Sequence, residues 1–455
     1  MRIPAFRHPS ATNPERSSET LITENGRKRR ERCILVGVLL PHGVYNPDDP
    51  LDEIRGLAET AGLQVLASLL QKRAHVDVTT YLGSGKVEEL KSLVEAHEAD
   101  LVLFDNDLAP SQTRNLEKAL GVKVIDRTEV ILDIFASRAS THEAHLQVEL
   151  AQLQYALPRL KRMWTHLSRY VGGVGVRGPG EKQLEEDRRL VEHRIRDLKA
   201  RLQKVEKRKE RQVASRGDVP TIGIVGYTNA GKSTLMNAIT DADVLAADKL
   251  FATLDTRTRR WNFRGGGYAL LSDTVGFIRN LPHSLVASFK ATLEEARQAD
   301  LLLHVVDASS PEAEKQIRAV NEVLREIGLE DHPSILVLNK ADRVPDRSYI
   351  DVLRAHHDES IVVSAYKKEG LDRLEQAVRE KLHELAVETE VVFEPALGKV
   401  LAYLNQNATV QEQRFDENEV RVHCMLPRRC FAFLQEQGAR IYPVARRDSV
   451  TPARA

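Results

Sequence analysis

The residues best suited to chemistry form an eight-residue loop, GYTNAGKS, at positions 226–233. The apolar run TIGIVG leads into this loop and the helical run LMNAI follows it, which is the strand, loop and helix context of the GxxxxGK[ST] phosphate loop. The loop amides and the N-terminus of the following helix would cradle the α- and β-phosphates of a nucleotide. Lys232 would reach the β- and γ-phosphates, and the Ser233 hydroxyl would bind Mg²⁺.

Two other segments could respond to the γ-phosphate. The apolar run YALLS leads into DTVG, where Asp273 can hold a magnesium-bound water and the Gly276 amide can contact the γ-phosphate. The polar stretch 241–258 has little periodicity, and we predict that it is a mobile switch with one threonine that closes on Mg²⁺ and the γ-phosphate. We choose Thr253, within FATLD, for this role. The candidates are Thr253, Thr256 and Thr258.

A third group of residues could recognise the base. The run ILVLNKAD places Asn339, Lys340 and Asp342 at the carboxyl end of a strand, where ligands bind in open α/β sheets. The Asp342 carboxylate can accept hydrogen bonds from both the ring N–H and the exocyclic amine of guanine. Adenine offers no such pair of donors and would leave a buried Asp342 unpaired, so we expect GTP rather than ATP. Ser364 and Ala365, in VVSAY, would form the closing loop.

These segments together define the predicted nucleotide site. The predicted catalytic residues are Lys232, Thr253 and Gly276, and the predicted metal ligands are Ser233 and Thr253. The predicted nucleotide-binding residues are Gly226, Tyr227, Thr228, Asn229, Ala230, Gly231, Lys232, Ser233, Phe251, Ala252, Thr253, Leu254, Asp255, Asp273, Thr274, Val275, Gly276, Asn339, Lys340, Ala341, Asp342, Ser364, Ala365 and Tyr366.

Ahead of this site, two apolar series predict an antiparallel helical hairpin. Residues at alternating spacings of four and three share one helix face over 146–167, and a second series over 184–205 follows the same frame. Pro158 should bend the first helix or end its regular part. The connecting segment 172–180, GGVGVRGPG, contains five glycines and one arginine, Arg177, which could contact a phosphate or stack on a base.

The charge of this region favours a nucleic acid partner. The whole chain is neutral, with 66 basic and 66 acidic residues, but residues 158–216 contain 18 basic against 8 acidic side chains. A flexible connector on a spacer or dimerising coil would not need such an excess, although composition alone leaves that interpretation open.

The same patterns divide the 455 residues into α/β domains, a helical hairpin and two tails. The motif GSGK at 83–86 could bind an anion, but an ordinary turn between strand and helix explains it more simply. The longest apolar run has eight residues, and the three cysteines form no CxxC pair, so we expect a cytoplasmic protein without stable membrane insertion. The predicted divisions are a disordered tail 1–32, a small α/β domain 33–140, the hairpin 141–215, a phosphate-loop GTPase domain 220–387, a small α/β domain 388–445 and a tail 446–455.

The chain resembles the HflX-type GTPases, a branch of the translation-factor-related GTPases allied to the Obg group. The resemblance rests on GGVGVRGPGEKQLEEDRR at 172–189 ahead of GYTNAGKST, and on the segments FATLD and DTVGFIRNLPH. It implies a monomer that binds GTP and GDP, carries the glycine-rich loop towards the peptidyl-transferase region of the large ribosomal subunit and its RNA, and splits or rescues stalled ribosomes. It also implies slow hydrolysis of GTP alone and faster hydrolysis with ribosomes.

Two residues bear on how GTP would be hydrolysed. Phe277 stands where Ras-like proteins carry a glutamine that orients the attacking water, so we expect intrinsic turnover on the order of 10⁻⁴ s⁻¹, or within a few tens-fold of it. Asn229 occupies a position at which an asparagine can ligate K⁺ near the phosphates, which makes K⁺ a hypothetical second cofactor beside Mg²⁺. Bonding of Asn229 within the loop is the simpler alternative.

Two other functions stay open at this point. The protein could be a signalling or scaffold switch whose coil binds proteins, or its N-terminal domain could remodel RNA with ATP, for which GSGK is the only indication in the sequence.

Overall fold

The computed structural model describes residues 23–24, 27–28, 30–41, 45–46, 48–163, 179–214, 219–240, 251, 257–264, 266–274, 276–278, 295–416, 418–427 and 430–443. Near the N-terminus, within the predicted disordered tail, the two-residue strands β1 (Thr23–Glu24) and β2 (Arg27–Lys28) pair antiparallel.

A four-stranded parallel sheet follows, in the order β4-β3-β5-β6. Apolar side chains lie on both of its faces, as expected when helices cover a parallel sheet on both sides. Its strands are β3 (Arg32–Leu39), β4 (Gln64–Lys72), β5 (Leu101–Phe104) and β6 (Lys123–Asp126). Its helices are α1 (Asp52–Thr60), α2 (Ser84–His97), α3 (Pro110–Leu120) and α4 (Arg127–Arg138).

Two long helices come next, α5 (His142–Met163) and α6 (Pro179–Ala214). Their seam is made by the residues of the predicted apolar series, and Arg194 reinforces it with two hydrogen bonds to Glu149, at 2.7 and 2.9 Å. The apolar seam residues are Leu146, Leu150, Leu153, Leu157, Val191, Ile195, Leu198 and Leu202.

Pro158 does not end the first long helix, because α5 continues to Met163. A proline removes one helical hydrogen bond and crowds the preceding turn. The carbonyl that loses its helical donor is that of Gln154, while Leu153 and Leu157 on either side of it stay packed in the seam with α6, which keeps the helix continuous. The predicted loop also differs at its end, since α6 begins at Pro179, while 164–178 lie outside the described residues.

The six-stranded sheet of the next domain has the order β12-β11-β10-β7-β9-β8 and is parallel except for β8. Because β7, β9, β10 and β11 are parallel, their carboxyl ends meet at one edge. The strands are β7 (Thr221–Gly226), β8 (Arg257–Asn262), β9 (Tyr268–Asp273), β10 (Leu301–Asp307), β11 (Ser334–Asn339) and β12 (Ile361–Val362). The helices are α7 (Lys232–Thr240), α8 (Ala313–Glu326), α9 (Arg347–His356) and α10 (Leu371–Glu384), with a 3₁₀ turn at Ala341–Arg343.

The C-terminal elements form an antiparallel sheet in the order β14-β15-β13-β16, with the chain order βαββαβ of a ferredoxin-like unit. Both helices pack on one face of the sheet. The first strand crosses the predicted boundary between 387 and 388. The elements are β13 (Ala386–Phe393), α11 (Gly398–Asn407), β14 (Thr409–Phe415), β15 (Val420–Pro427), α12 (Cys430–Glu436) and β16 (Arg440–Pro443).

Among the described residues, no helix is long and apolar enough to cross a membrane.

Candidate functional site

The phosphate loop requires glycine at two positions. Gly226 has a φ of 150°, and a Cβ there would lie 2.1 Å from the carbonyl oxygen of Val305 on the neighbouring strand. Gly231 has a φ of 91°, and its Cβ would lie 2.3 Å from Nδ2 of Asn339. Both glycines therefore let the loop backbone approach the ends of β10 and β11.

Lys232 is buried at the start of α7 and is held by the loop itself. Its Nζ donates to the carbonyls of Gly226, at 3.1 Å, and Tyr227, at 2.9 Å. An ammonium group carries three donors, so these two bonds fix its position and leave one hydrogen for a phosphate oxygen. Burial lowers the pKa of Lys232 to about 8, although the nearby Asp273 carboxylate favours the charged form.

Ser233 and Asp273 form an oxygen-rich pair beside the loop. The Ser233 hydroxyl donates to Oδ2 of Asp273 at 2.7 Å, and Asp273 lies buried at the carboxyl end of β9. Hydroxyl and carboxylate oxygens are the ligands that Mg²⁺ prefers. This donor set fits the predicted magnesium site. Ser233 would bind the ion directly and Asp273 through water, whereas the predicted third partner, Thr253, lies outside the described residues.

The DTVG segment lies directly against the phosphate loop. The Thr228 N–H donates to the carbonyl of Phe277 at 2.6 Å, and the Phe277 N–H donates to the carbonyl of Gly226 at 3.1 Å. A Cβ on Gly276 would lie 3.0 Å from both Nζ of Lys232 and Cα of Thr228. Gly276 is therefore close enough for its backbone to take part in the same phosphate site.

Thr274 has a different side-chain role from the predicted one. Its hydroxyl is fully buried and donates to the Ile224 carbonyl at 2.7 Å, so it ties β9 to β7 rather than facing a nucleotide. Val275, between Thr274 and Gly276, lies outside the described residues.

Two aromatic residues of the switch segments are core residues. Phe277 is buried in an apolar cluster that also contains Tyr227, which removes its ring from the position of a water-orienting group. Phe251 is buried with a φ of 54°, its N–H donates to Oγ1 of Thr228 at 3.0 Å, and its ring meets the edge of Phe135 at 4.6 Å. Phe251 was predicted as a nucleotide contact, but its side chain anchors the switch to the protein core.

The remaining switch residues are only partly described. Thr258 lies in β8, with its hydroxyl 3.1 Å from that of Ser272, and is therefore a strand residue. The predicted residues Ala252, Thr253, Leu254 and Asp255, and the candidate Thr256, lie outside the described residues.

Asn339 joins three parts of the base site. Its Nδ2 donates to the Ala230 carbonyl at 2.9 Å, and its Oδ1 accepts from the Ala365 N–H at 3.0 Å. Both ends of the buried amide are thus committed to holding the phosphate loop and the closing loop in register. The predicted residues of the phosphate loop, the NKAD segment and the closing loop are therefore brought together, and Asn339 connects them.

Asp342 is placed to recognise a base but is not buried as expected. It is half-exposed in the 3₁₀ turn, and its Oδ1 accepts from the Ser364 hydroxyl at 2.6 Å. This hydrogen bond lowers the pKa of Asp342, so the carboxylate stays ionised. Its selectivity for guanine would then depend on the base covering it. Tyr366, beyond Ala365, is 84% exposed and Asn229, with a φ of 60°, is also exposed, so neither has its side chain fixed by the core.

Sequence reasoning missed Asp307, which organises the Lys340 side chain. The Lys340 Nζ lies 2.7 Å from Oδ2 of Asp307, and Lys340 has a left-handed φ of 59°. Asp307 ends the apolar run LLLHVVD, so its position at a strand's carboxyl end was a usable signal. Glu53, which accepts a hydrogen bond from Tyr227 of the GTPase domain, and Arg127, which is paired with Glu53, had no such signal in the sequence.

The GSGK motif is an ordinary helix start. Gly83 precedes α2 and its N–H donates to the side chain of Gln71 at 3.1 Å, while Lys86 pairs with Glu89 at 2.7 Å on the same helix.

Three family models match the chain. They are described as "GTP-binding GTPase N-terminal" over 48–136, "GTP-binding GTPase Middle Region" over 138–216 and "50S ribosome-binding GTPase" over 221–340. Relatives named GTPase HflX include one from Caldanaerobacter subterraneus subsp. tengcongensis, 46% identical over 86% of this chain and 90% of its own length. The one from Escherichia coli K12 is 46% identical over 85% of this chain and 91% of its own. A GTP-binding protein from Sulfolobus solfataricus, solved with GDP, is 26% identical over 78% of this chain and all of its own, with a TM-score of 0.41.

Proposed function

The chain belongs to the HflX family of GTPases, and we propose that it uses its GTP cycle to bind the large ribosomal subunit and to split or rescue stalled ribosomes. It is an enzyme that hydrolyses GTP to GDP and phosphate. We also propose the domain divisions given above, an antiparallel arrangement of the two long helices, a monomeric state and a cytoplasmic location where ribosomes are found.

The observation that carries the ribosomal role is the basic surface of α6. This helix ends at Ala214, and the phosphate loop begins at Gly226. The cationic side chains of α6 are exposed beside a seam that is closed by apolar residues. Exposed cationic side chains of this kind can neutralise RNA phosphates and release their counterions. The exposed basic residues are Arg189, Arg196, Lys199, Arg201, Lys204 and Arg208.

The site geometry supports hydrolysis that depends on a partner. Lys232 and the loop amides would hold the phosphates, and Ser233 with Asp273 would hold Mg²⁺, which when bound neutralises charge on the phosphate oxygens. The buried ring of Phe277 cannot orient water. We therefore propose intrinsic turnover on the order of 10⁻⁴ s⁻¹, or within a few tens-fold, and ribosome-stimulated turnover well above it. Unassisted turnover on the order of 10 s⁻¹ would refute this.

We propose K⁺ as a second cofactor, because Asn229 is exposed in a left-handed conformation in the loop, where its side chain is free of the core. K⁺ should then raise the turnover of the wild type relative to Na⁺ at equal ionic strength, and Asn229→Ala should abolish the difference. Equal rates of the wild type in the two salts would remove K⁺ from the proposal.

The deciding experiment is sedimentation of ribosomes through sucrose gradients with the protein and a non-hydrolysable GTP analogue. We expect the wild type to travel with large subunits and to reduce the 70S peak, and Arg177→Ala or a loop shortened within 172–178 to lose both effects. Arg318→Ala, an exposed arginine on α8, is the matched control and should behave as wild type. Unchanged association after the loop is shortened would overturn the proposal.

Salt dependence separates the ribosomal role from a protein-binding scaffold. If six or more phosphates are contacted, affinity should fall roughly 10³-fold between 50 and 200 mM salt. Hydrophobic coil contacts would give a shallow dependence. ATPase activity that survives Lys232→Ala would instead support a separate ATP-dependent function of the N-terminal domain.

A further inference from the structure

The phosphate loop is hydrogen-bonded to the N-terminal domain. The hydroxyl of Tyr227, the second residue of the loop, donates to Oε1 of Glu53 at 2.7 Å, across 174 positions of sequence. Glu53 lies in the first turn of α1, and Tyr227 is nearly buried. The Tyr227 backbone carbonyl in turn accepts from Nζ of Lys232 at 2.9 Å. A displacement of Tyr227 would therefore move the carbonyl that holds the phosphate-binding ammonium.

Arg127 fixes Glu53 from the other side. Its guanidinium lies 2.8 Å from Oε1 of Glu53 and 2.6 Å from Oδ1 of Asp105, and its side chain is only 2% exposed. Burial by itself would lower the pKa of Arg127, but the two carboxylates raise it above its ordinary value. A buried cation between two carboxylates resists displacement, because moving either partner leaves an uncompensated charge.

The residue preceding Arg127 is bound by the first long helix. Oδ1 of Asp126 accepts from the Tyr155 hydroxyl at 2.7 Å, and Oδ2 accepts from Arg159 at 2.9 Å. The Arg159 guanidinium also stacks over the Tyr155 ring, 3.4 Å from its centre, and donates to the Leu108 carbonyl at 3.0 Å. Since Asp126 and Arg127 are consecutive, a shift of α5 acts on the residue that orients Glu53.

We propose that Tyr227, Glu53, Arg127, Asp126 and Tyr155 form a coupling chain that makes the phosphate-loop geometry depend on the position of α5, with Tyr227 as a positioning residue for Lys232. Coupling of this kind is reciprocal: nucleotide state changes α5, and a force on α5 changes the relative affinity for nucleotides by the same factor. The inference rests on the proposed function in one respect: it takes the two long helices, α5 and α6, as the part of the protein that contacts the ribosome.

Amide hydrogen exchange tests the coupling without ribosomes. In the full-length wild type, we expect exchange in 142–163 to differ between the GDP form and the form with a non-hydrolysable GTP analogue. Tyr227→Phe and Tyr155→Phe each remove one hydroxyl and keep the ring, and should reduce that difference by at least half. Tyr349→Phe is the matched control, because its hydroxyl donates to the Ser310 carbonyl within the GTPase domain, and it should keep the full difference.

A double-mutant cycle distinguishes coupling from mere loss of stability. The measured quantity is the ratio of the dissociation constants for GDP and the GTP analogue. Each single variant should change this ratio about five-fold, the factor that corresponds to one hydrogen bond. The variant with both substitutions should also change it about five-fold, because both hydroxyls belong to the same chain. Changes that multiply to about 25-fold would overturn the proposal.

Either of two exchange results would also overturn it: no nucleotide-dependent difference in the wild type, or the same difference in Tyr227→Phe as in the wild type. Failure of the ribosomal role would appear separately, as wild-type protein that does not sediment with large subunits.

Discussion

Replacing Gly231 by alanine should disrupt the site through Asn339. The new Cβ would sit 2.3 Å from the Asn339 Nδ2, and the φ of 91° is unfavourable for alanine. Asn339 would have to move, losing its bonds to Ala230 and Ala365, each worth about 1 kcal/mol. Left-handed backbone adds about 1–2 kcal/mol. We therefore expect a total cost of about 3 kcal/mol, of which about 2 kcal/mol falls on the arrangement that binds the nucleotide.

Fluorescence titration with labelled GDP measures the loss of binding free energy. A loss of about 2 kcal/mol corresponds to roughly a 30-fold increase in the dissociation constant. Gly328→Ala is the matched control, because Gly328 has a φ of 76° in the same domain with no atom within 4 Å of the added Cβ. It should lower the melting temperature slightly and leave GDP affinity unchanged. A Gly231→Ala protein within three-fold of the wild type, or an equal loss in the control, would refute the reasoning.

Three further predictions follow from single side chains. Because burial lowers the pKa of Lys232 to about 8 and phosphate binds the ammonium form, GDP affinity should fall up to ten-fold per pH unit above pH 8 and be flat below about pH 7; a flat titration from pH 7 to 9 would contradict this. Wild-type protein should prefer GTP over inosine triphosphate, which lacks the exocyclic amine, by about 10-fold or more, and Asp342→Asn should lose most of that preference in competition binding. Thr274→Val should destabilise the fold by about 1 kcal/mol in thermal unfolding because it removes the buried hydrogen bond to the Ile224 carbonyl, whereas Thr113→Val, at a partly exposed helix position, should change little. Normal stability of Thr274→Val would show that its hydroxyl does not hold the sheet.

The sequence predicts the site wherever a residue's position relative to a strand end determines its role. Ser233 and Asp273 are 40 positions apart, yet one starts the helix after β7 and the other ends β9, so parallel pairing brings them to 2.7 Å. Asn339 ends β11 and Ala365 follows β12, so the parallel pairing of these two strands likewise brings the two residues into contact. Asp307 at the end of β10 could have been predicted in the same way, as a partner for the predicted residue Lys340.

Side-chain direction and contacts across domains could not be obtained in this way. Thr274 belongs to a nucleotide-binding motif, but the strand alternation that turns its hydroxyl towards Ile224 depends on register, which a one-residue shift would reverse. Phe251 looked like a switch residue, whereas its ring packs on Phe135 of another domain. Pro158 was predicted to bend the first helix or end its regular part, but α5 continues to Met163 because its apolar side chains on the preceding turn pack against α6, a contact between two separate segments of the chain.

The burial of Phe251 and Phe277 explains why nucleotide state should be sensed beyond the GTPase domain. Both rings lie in one apolar cluster with Phe135 of α4 and with Val148 of α5, so the switch segments are anchored in a core shared by three parts of the molecule. Removing a buried phenylalanine from such a core costs about 3–5 kcal/mol. When the γ-phosphate is lost, the switch segments can move in two ways. They can rotate about the two buried rings, which then stay in place, or they can move together with α4 and α5. Since close-packed cores deform in discrete steps rather than continuously, we expect GTP hydrolysis in this chain to be coupled to the positions of α4 and α5.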